Sequence, residues 1–175
     1  MANEMQVSGW YAPAMNTHRS AFAGRNFEYY SEDPILSGKI AAEAVKGAAD
    51  NGVYAYIKHF ALNDQETNRT YQLMTWADEQ TVREVYLRPF EICVKEANAK
   101  AVMAAFNHYG TTPAYASDNV LNKILRDEWG FRGMVLIDYF GAGGYGYLDA
   151  NRATRNGTDF CLTAIDAGFN YVKDK

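Results

Sequence analysis

Polar residues directly follow three apolar runs that have the character of buried strands. In chain order these residues are Lys58 and His59, then Asn107 and His108, and finally Asp138. In parallel α/β folds, the carboxyl ends of the strands form the edge where ligands bind and chemistry is done. Polar residues at the ends of three such strands therefore predict a functional site at one edge of a sheet.

Asp138 ends the third run and precedes a glycine-rich stretch at 141–146. A carboxylate at a strand end can serve as a nucleophile, a metal ligand or the cap of a helix. The residues alone leave these three roles open. The glycines lack the spacing of a phosphate-cradling loop, so a nucleotide site is not indicated.

The dipeptide Lys58-His59 could provide a general base, bind a phosphate or donate hydrogen bonds to sugar hydroxyls. Successive side chains of a strand point to opposite faces. Both can line one pocket only where the strand has ended or is distorted. The sequence therefore predicts a bulge or twist at this dipeptide.

Two arginines, Arg25 and Arg69, lie in stretches that have the composition of loops. Their planar, permanently charged forks suit bidentate contacts with vicinal hydroxyls or carboxylates. His18 has no second metal ligand at a recognisable spacing, and no metalloprotease, Walker or dinucleotide-binding motif is present. The two cysteines, Cys93 and Cys161, indicate neither a disulfide framework nor a multi-cysteine metal site.

Alternating helices and strands must position these residues. Helices are expected from the Ser-Glu-Asp-Pro start at 31–34 to about 51, then over 77–97, 117–129 and 148–155, and strands over 53–57, 101–106, 134–137 and 158–162. Pro89 should kink the second helix. Apolar strands separated by amphipathic helices predict parallel strands buried on both faces, hence an α/β fold. Periodicity alone does not separate a doubly wound sheet from a barrel.

Composition narrows the class of protein. The 175 residues are 48% hydrophobic and 22% charged, as in an ordinary globular chain. The 21 acidic and 17 basic residues are scattered, which argues against a nucleic-acid partner. Neither a signal peptide nor an apolar stretch near 18 residues is visible, so no membrane partner is expected. The compartment stays open, with the cytoplasm expected if Met1 is the natural start.

Four motifs in order resemble glycoside hydrolase family 3, the β-glucosidase and β-xylosidase family. They are Gly-Arg-Asn-Phe-Glu-Tyr-Tyr-Ser-Glu-Asp-Pro (24–34), Ile-Lys-His-Phe-Ala (57–61) with Gln-Glu-Thr-Asn-Arg (65–69), Arg-Glu-Val-Tyr-Leu-Arg-Pro-Phe-Glu (83–91) and Leu-Arg-Asp-Glu-Trp-Gly-Phe-Arg-Gly-Met-Val-Leu-Ile-Asp-Tyr-Phe (125–140). The likeness runs from about Trp10 to Thr163. It implies an incomplete (β/α)8 TIM-barrel domain over 1–163, roughly strands 3 to 7 with their helices, and a tail of unknown role at 164–175.

The resemblance also implies a retaining β-glycosidase, most simply a β-glucosidase, that acts on a β-linked glucoside or oligosaccharide. Asp138 would be the nucleophile that forms a covalent glycosyl-enzyme. The hydroxyls of the sugar would be bound by four further residues, which are Arg25, Lys58, His59 and Arg69. No metal or organic cofactor is implied.

This sequence departs from the family pattern at several positions. Phe106 stands where a tyrosine is common, Asp64 where an asparagine is common, and Ile137 and Tyr139 where serine and tryptophan flank the nucleophile. The family's aspartate from the early barrel and the general acid/base glutamate of its second domain have no counterpart here. The loop after Lys58-His59 also differs from that of the one-domain hexosaminidase branch, which carries a catalytic histidine.

We therefore expect the acid/base outside this chain, and the isolated chain to be inactive because it is incomplete. Two other hypotheses stay open. One is a non-catalytic sugar-binding or inactive barrel fragment, and the other is a complete doubly wound α/β binding protein. An incomplete barrel would also expose edge strands, so self-association through those edges is a further expectation.

Overall fold

The computed structural model describes residues 1–71, 73–139 and 148–162. The glycine-rich stretch at 141–146 and the tail at 164–175, both singled out in the sequence, lie outside the described residues. Within the described part, eight strands form two sheets. The strands are β1 (Gly9–Trp10), β2 (Tyr54–Phe60), β3 (Met74–Thr75), β4 (Ala101–Ala104), β5 (His108–Tyr109), β6 (Thr112–Pro113), β7 (Met134–Ile137) and β8 (Phe160–Cys161).

The larger sheet has five strands in the order β1-β2-β4-β7-β8, and every neighbouring pair is parallel. Its spatial order is therefore the chain order. A doubly wound sheet reverses its order at a switch point, whereas a (β/α)8 barrel adds each strand beside the previous one. The sheet is a section of a barrel wall, which confirms the incomplete barrel and contradicts the doubly wound alternative.

Four α-helices are described, and a π-type helix lies between the last two. They are α1 (Pro34–Asp50), α2 (Glu79–Thr81), α3 (Arg88–Ala97), the π-type helix Asn119–Glu128 and α4 (Ala150–Arg155). The predicted start of α1 is confirmed, because the Asp33 carboxylate accepts the backbone N–H groups of Ile35 and Leu36 at 2.7 and 3.1 Å. The aspartate and the following proline together satisfy the first turn.

The predicted helix over 77–97 is interrupted, as Pro89 led us to expect. A π-type turn at Val82–Tyr86 follows α2, and a new helix begins at Arg88 with the proline in its first turn. A first-turn N–H has no partner within the helix, so proline is tolerated there. One long predicted helix is thus two helical pieces.

The smaller sheet holds β3, β5 and β6, with β3 parallel to β5 and β5 antiparallel to β6. His108 lies in this small sheet and not at the end of a barrel strand, which corrects the expectation that it extends the site edge. The strand predicted over 101–106 ends at Ala104, so Asn107 lies beyond it. Asn107 donates to the carbonyl of Gln65 at 3.3 Å and supports the loop after β2.

The core fills the space between the barrel strands and their helices. Ile57, Val102 and Val135 lie side by side in adjacent strands and are fully buried. Phe60 packs edge-to-face on Phe90 and Trp129, with ring centroids 5.2 and 5.8 Å apart. This packing fixes the strand ends that carry the polar residues. Among the described residues, no helix combines the length and apolar character needed to cross a membrane.

Candidate active site

The strand β2 is distorted at the dipeptide for which the sequence predicts a distortion. Lys58 pairs with Met103, whereas Phe60 pairs with Ala104, so His59 is skipped in the ladder, and the Lys58-His59 peptide bond is cis. Both polar residues therefore lie within the strand and not after it, which corrects the predicted strand end at 57. The irregular register lets both side chains approach the same site.

Asn16 holds the distorted backbone in place. Its side-chain amide donates to the carbonyl of His59 at 3.0 Å, and its side-chain oxygen accepts from the N–H of the same residue at 2.8 Å. Asn16 is itself buried. A buried backbone group outside a ladder needs such a partner, and one amide side chain here satisfies two.

The imidazole of His59 is buried beside Asp138. Its Nε2 atom lies 3.8 Å from Oδ2 of Asp138, and its Nδ1 atom lies 3.4 Å from the hydroxyl of Tyr29. The same hydroxyl donates to the carbonyl of Asn63 at 3.2 Å. Burial first, and then three nearby cationic side chains, lower the pKa of His59 well below its ordinary value. A neutral imidazole can accept one hydrogen bond and donate another.

Asp138 follows β7 directly, and both of its carboxylate oxygens accept hydrogen bonds. Oδ1 accepts from the backbone N–H of Tyr139 at 2.7 Å, and Oδ2 accepts from Nη1 of Arg69 at 2.9 Å. The backbone N–H of Asp138 continues the sheet by donating to the carbonyl of Ala104 at 3.0 Å. The side chain is 13% exposed, so the oriented carboxylate can still reach a ligand.

Two glutamates connect the cationic residues to one another. Glu66 Oε1 lies 2.9 Å from Nε of Arg69 and 3.4 Å from Nη1 of Arg25. Glu28 accepts from Nε of Arg25, and its other oxygen lies 3.4 Å from Nζ of Lys58. The structure thus brings together all five residues that the sequence singled out for the site. The guanidinium of Arg69 also stacks on the Phe106 ring at 5.0 Å.

The two glutamates, Tyr29 and Asn16 were not singled out in the sequence. A signal was present for the glutamates, because Glu28 is three residues after Arg25 and Glu66 is three residues before Arg69. Such spacing is so frequent for surface ion pairs that it does not identify a site. Tyr29 and Asn16 carry no local signal, because their partners are 34 and 43 residues away.

Asp64 adopts a buried position close to the site. Its Oδ1 accepts from the backbone N–H of Thr17 at 2.8 Å. Burial raises the pKa of this carboxyl to about 7, although the hydrogen bond from Thr17 and the charge of Arg19 act in the opposite direction. Its other oxygen, Oδ2, has no hydrogen-bond partner among the described residues. Within the described ranges, no group of three or more histidine, cysteine or acidic residues is arranged to hold a metal ion.

Known proteins are similar to this chain in sequence. β-Glucosidase A of Butyrivibrio fibrisolvens is 47% identical over 142 residues, which are 81% of this chain and 17% of that protein. The β-glucosidase of Rhizobium radiobacter is 48% identical over 133 residues, which are 75% of this chain and 16% of that protein. The chain therefore spans less than a fifth of the length of these curated relatives.

Solved structures of β-glucosidases superpose on nearly the whole of this chain. β-Glucosidase 3B from Thermotoga neapolitana, in a complex with glucose, superposes with a TM-score of 0.86 at 43% identity and covers 92% of this chain and 22% of its own. The β-glucosidase of Kluyveromyces marxianus, also in complex with glucose, has a TM-score of 0.90 at 32% identity and covers 99% of this chain and 20% of its own.

The family model described as the glycosyl hydrolase family 3 N terminal domain matches residues 1–172. The matched range contains all four motifs, the five strands of the barrel wall and the five predicted site residues. The chain therefore belongs to glycoside hydrolase family 3 and carries part of that family's N-terminal barrel domain.

Proposed function

We propose that this chain supplies the nucleophile and most of the sugar subsite of a retaining β-glucosidase. The observation that carries the proposal is the 2.9 Å contact between Arg69 Nη1 and Asp138 Oδ2, at a carboxylate that His59 also approaches. The guanidinium of Arg69 orients the carboxylate by a charge-assisted hydrogen bond, and a carboxylate is a group that can attack an anomeric carbon. The two relatives named above are both called β-glucosidases, which supports the choice of sugar.

In the first step, an oxygen of Asp138 forms a bond to the anomeric carbon while the bond from that carbon to the leaving oxygen breaks. The leaving oxygen takes the bonding electron pair and a proton from a general acid. In the second step, water attacks the same carbon, Asp138 leaves as a carboxylate, and the general base takes the proton from water.

We place the general acid/base outside this chain. Retaining glycosidases need two carboxyl groups about 5–5.5 Å apart across the scissile bond. Glu28 and Glu66 are two glutamates of the described site, but both are in ion pairs with the cationic residues. An acid must be free to donate a proton to the leaving oxygen, so these glutamates do not suit the role.

The cationic residues then have a binding role. Arg25, Lys58 and Arg69 present N–H donors that suit the oxygen atoms of sugar hydroxyls. The Nδ1 atom of neutral His59 lies at the Tyr29 hydroxyl, so Nε2 is the ring nitrogen that is placed to form a hydrogen bond with a sugar hydroxyl. Differential strengthening of these contacts in the oxocarbenium-like transition state would add to catalysis.

The test uses a reagent that needs no general acid. The dinitrophenyl glycoside of a fluorinated deoxyglucose has a leaving group that departs unprotonated, and its glycosyl-enzyme hydrolyses slowly. We expect mass spectrometry to find one fluorodeoxyglucosyl group on Asp138 of the 175-residue chain. Asp138→Asn should abolish labelling while leaving the melting temperature close to that of the parent.

A non-catalytic sugar-binding role is the second candidate, because neither Glu28 nor Glu66 suits the acid/base role. Nuclear magnetic resonance titration with glucose separates the two. Binding of glucose without labelling of Asp138 would support a binding protein and contradict our proposal. Labelling at any residue other than Asp138 would contradict the assigned nucleophile.

A further inference from the structure

Glu66 lies between the two arginines of the site and contacts both. Its Oε1 atom is 2.9 Å from Nε of Arg69 and 3.4 Å from Nη1 of Arg25. The arginine side chains are only 15% and 19% exposed, so their charges are weakly screened by solvent. Two poorly hydrated cations repel each other, and a carboxylate that contacts both removes most of that repulsion.

The backbone around Glu66 reinforces this contact. Its N–H donates to the carbonyl of Ala23 at 2.8 Å, which joins the loop after β2 to the segment that carries Arg25. Gly24 has φ of +96°, and a Cβ there would lie 2.9 Å from Cβ of Glu66. A side chain at position 24 would therefore both strain the backbone and push Glu66 away.

Contact with Glu66 also determines the direction of Arg69. A guanidinium is planar, so fixing Nε at one carboxylate fixes where its Nη atoms point. With Nε at Glu66, Nη1 reaches Oδ2 of Asp138 at 2.9 Å, and Cζ lies over the Phe106 ring, 5.0 Å from its centroid. The link from Glu66 through Arg69 therefore ends on the carboxylate that we assign as the nucleophile.

We propose that Glu66 is a positioning residue of this site: it keeps Arg25 and Arg69 together and directs the Arg69 fork at Asp138. The catalytic part of this proposal rests on the proposed function, whereas the geometric part does not. Glu28 provides a comparison within the same site. It bridges Arg25 and Lys58, so its link does not extend to Asp138.

Replacement of Glu66 should therefore slow labelling of Asp138 at saturating reagent, and not merely weaken binding. Glu66→Gln keeps an acceptor oxygen and removes the charge, and we expect a decrease of about tenfold or more in that rate. Glu66→Asp keeps the charge with a shorter reach and should recover part of the rate. Glu28→Gln should mainly raise the glucose dissociation constant.

A matched control is available on the surface. Glu128 also pairs with an arginine, Arg83, at 2.7 Å, and the other ion pair of Arg83 is with Glu79 on the surface. Glu128→Gln should label at the parent rate, although it too loses an arginine–carboxylate pair. Thermal melts of all variants separate a positioning effect from a loss of folding. If Glu66→Gln melts below the assay temperature, the rate of Glu66→Asp is compared with that of the parent instead.

A second measurement decides the geometric part even if no chain is labelled. The Nε–H of Arg69 should give a resolved, slowly exchanging proton resonance in the parent and in Glu128→Gln. In Glu66→Gln the same proton should exchange faster, because a neutral amide oxygen is a weaker acceptor than a carboxylate. Absence of labelling in the parent would overturn the proposed function alone. An unchanged Arg69 resonance, or labelling of Glu66→Gln at the parent rate, would overturn the positioning role.

Discussion

Arg69 joins two carboxylates, because its Nε atom lies 2.9 Å from Glu66 and its Nη1 atom lies 2.9 Å from Asp138. A lysine carries one ammonium group at the end of a flexible stem and cannot reproduce this fork. Arg69→Lys should therefore reduce the rate of Asp138 labelling by roughly tenfold to a hundredfold, the value of one lost charge-assisted hydrogen bond. Labelling kinetics followed by mass spectrometry give the rate, and a lysine variant as fast as the parent would show that the fork is dispensable.

Asp64 should make stability depend on pH in a defined direction. Burial raises its pKa to about 7, whereas an unfolded aspartate titrates near 3.9, about the ordinary value. Between these pH values the folded chain retains a proton that the unfolded chain has released. The contribution of Asp64 to the free energy of unfolding therefore decreases as the pH rises from about 4 to about 7.

Asp64→Asn removes this titration and can keep the hydrogen bond from Thr17. Relative to the parent, the variant should gain stability as the pH rises through that window, by on the order of 4 kcal/mol. Denaturant unfolding at pH values on either side of the window measures the difference. The contributions of the other titrating groups cancel in this difference, because both chains share them. A difference in unfolding free energy that is constant with pH would refute the raised pKa of Asp64.

His59 should remain neutral in the folded chain at a pH where a free imidazole becomes charged, about 6.5. Its pKa is lowered mainly by burial and secondarily by neighbouring cations. The unfolded chain then takes up a proton that the folded chain does not, so this residue's contribution to stability decreases as the pH falls below about 6.5. The ring-proton chemical shift, followed by nuclear magnetic resonance, reports the charge.

Lys58→Met serves as the matched variant for His59. It removes one nearby cation and leaves the burial, which is the larger cause, in place. The pKa of His59 should therefore rise only slightly and stay below its ordinary value. Titration of His59 at the ordinary value in the parent would show that the imidazole is hydrated and would remove our reason for treating it as a neutral donor and acceptor.

Gly133 and Gly47 should respond to alanine in opposite directions. A Cβ at Gly133 would lie 2.0 Å from the backbone carbonyl oxygen of Lys100, whereas a Cβ at Gly47 would meet nothing within 4 Å. Gly133→Ala should therefore destabilise the chain by at least about 2 kcal/mol. Gly47→Ala, inside α1, should stabilise it by about 0.5–1 kcal/mol. Thermal melts of the two variants check both signs.

The sequence predicted correctly the helix and strand bounds that depend on a few neighbouring residues, such as a cap, a proline or a short apolar run. Asp33 and Pro34 determine where α1 begins, Pro89 marks the break before α3, and the predicted strand 134–137 has the bounds of β7. The two-residue strands β1, β3, β5 and β6 were missed, because two residues are too few to show alternation.

For the site, the types of residue at the strand ends indicated where the site lies. The sequence did not indicate which of these side chains contact one another. The sequence predicted that Lys58 and His59 share a pocket only if the strand is distorted, and the irregular register of β2 confirms the distortion. That Glu66 bridges Arg25 and Arg69 depends on a contact between two loops 41 residues apart. Spacing along the chain does not encode such a contact, since it exists only after the strands have paired.

The sequence separation of these contacts also determines when they form during folding. Arg69 and Asp138 are 69 residues apart, and Asn16 and His59 are 43 apart. Contacts that close such long loops form late, after the loop-closure entropy has been offset by the pairing of β2, β4 and β7. A partly folded chain that contains α1 and single strands would therefore not recognise sugar. If the proposed sugar site binds glucose, recovery of that binding after dilution from denaturant should therefore report when the strands of the barrel wall have paired.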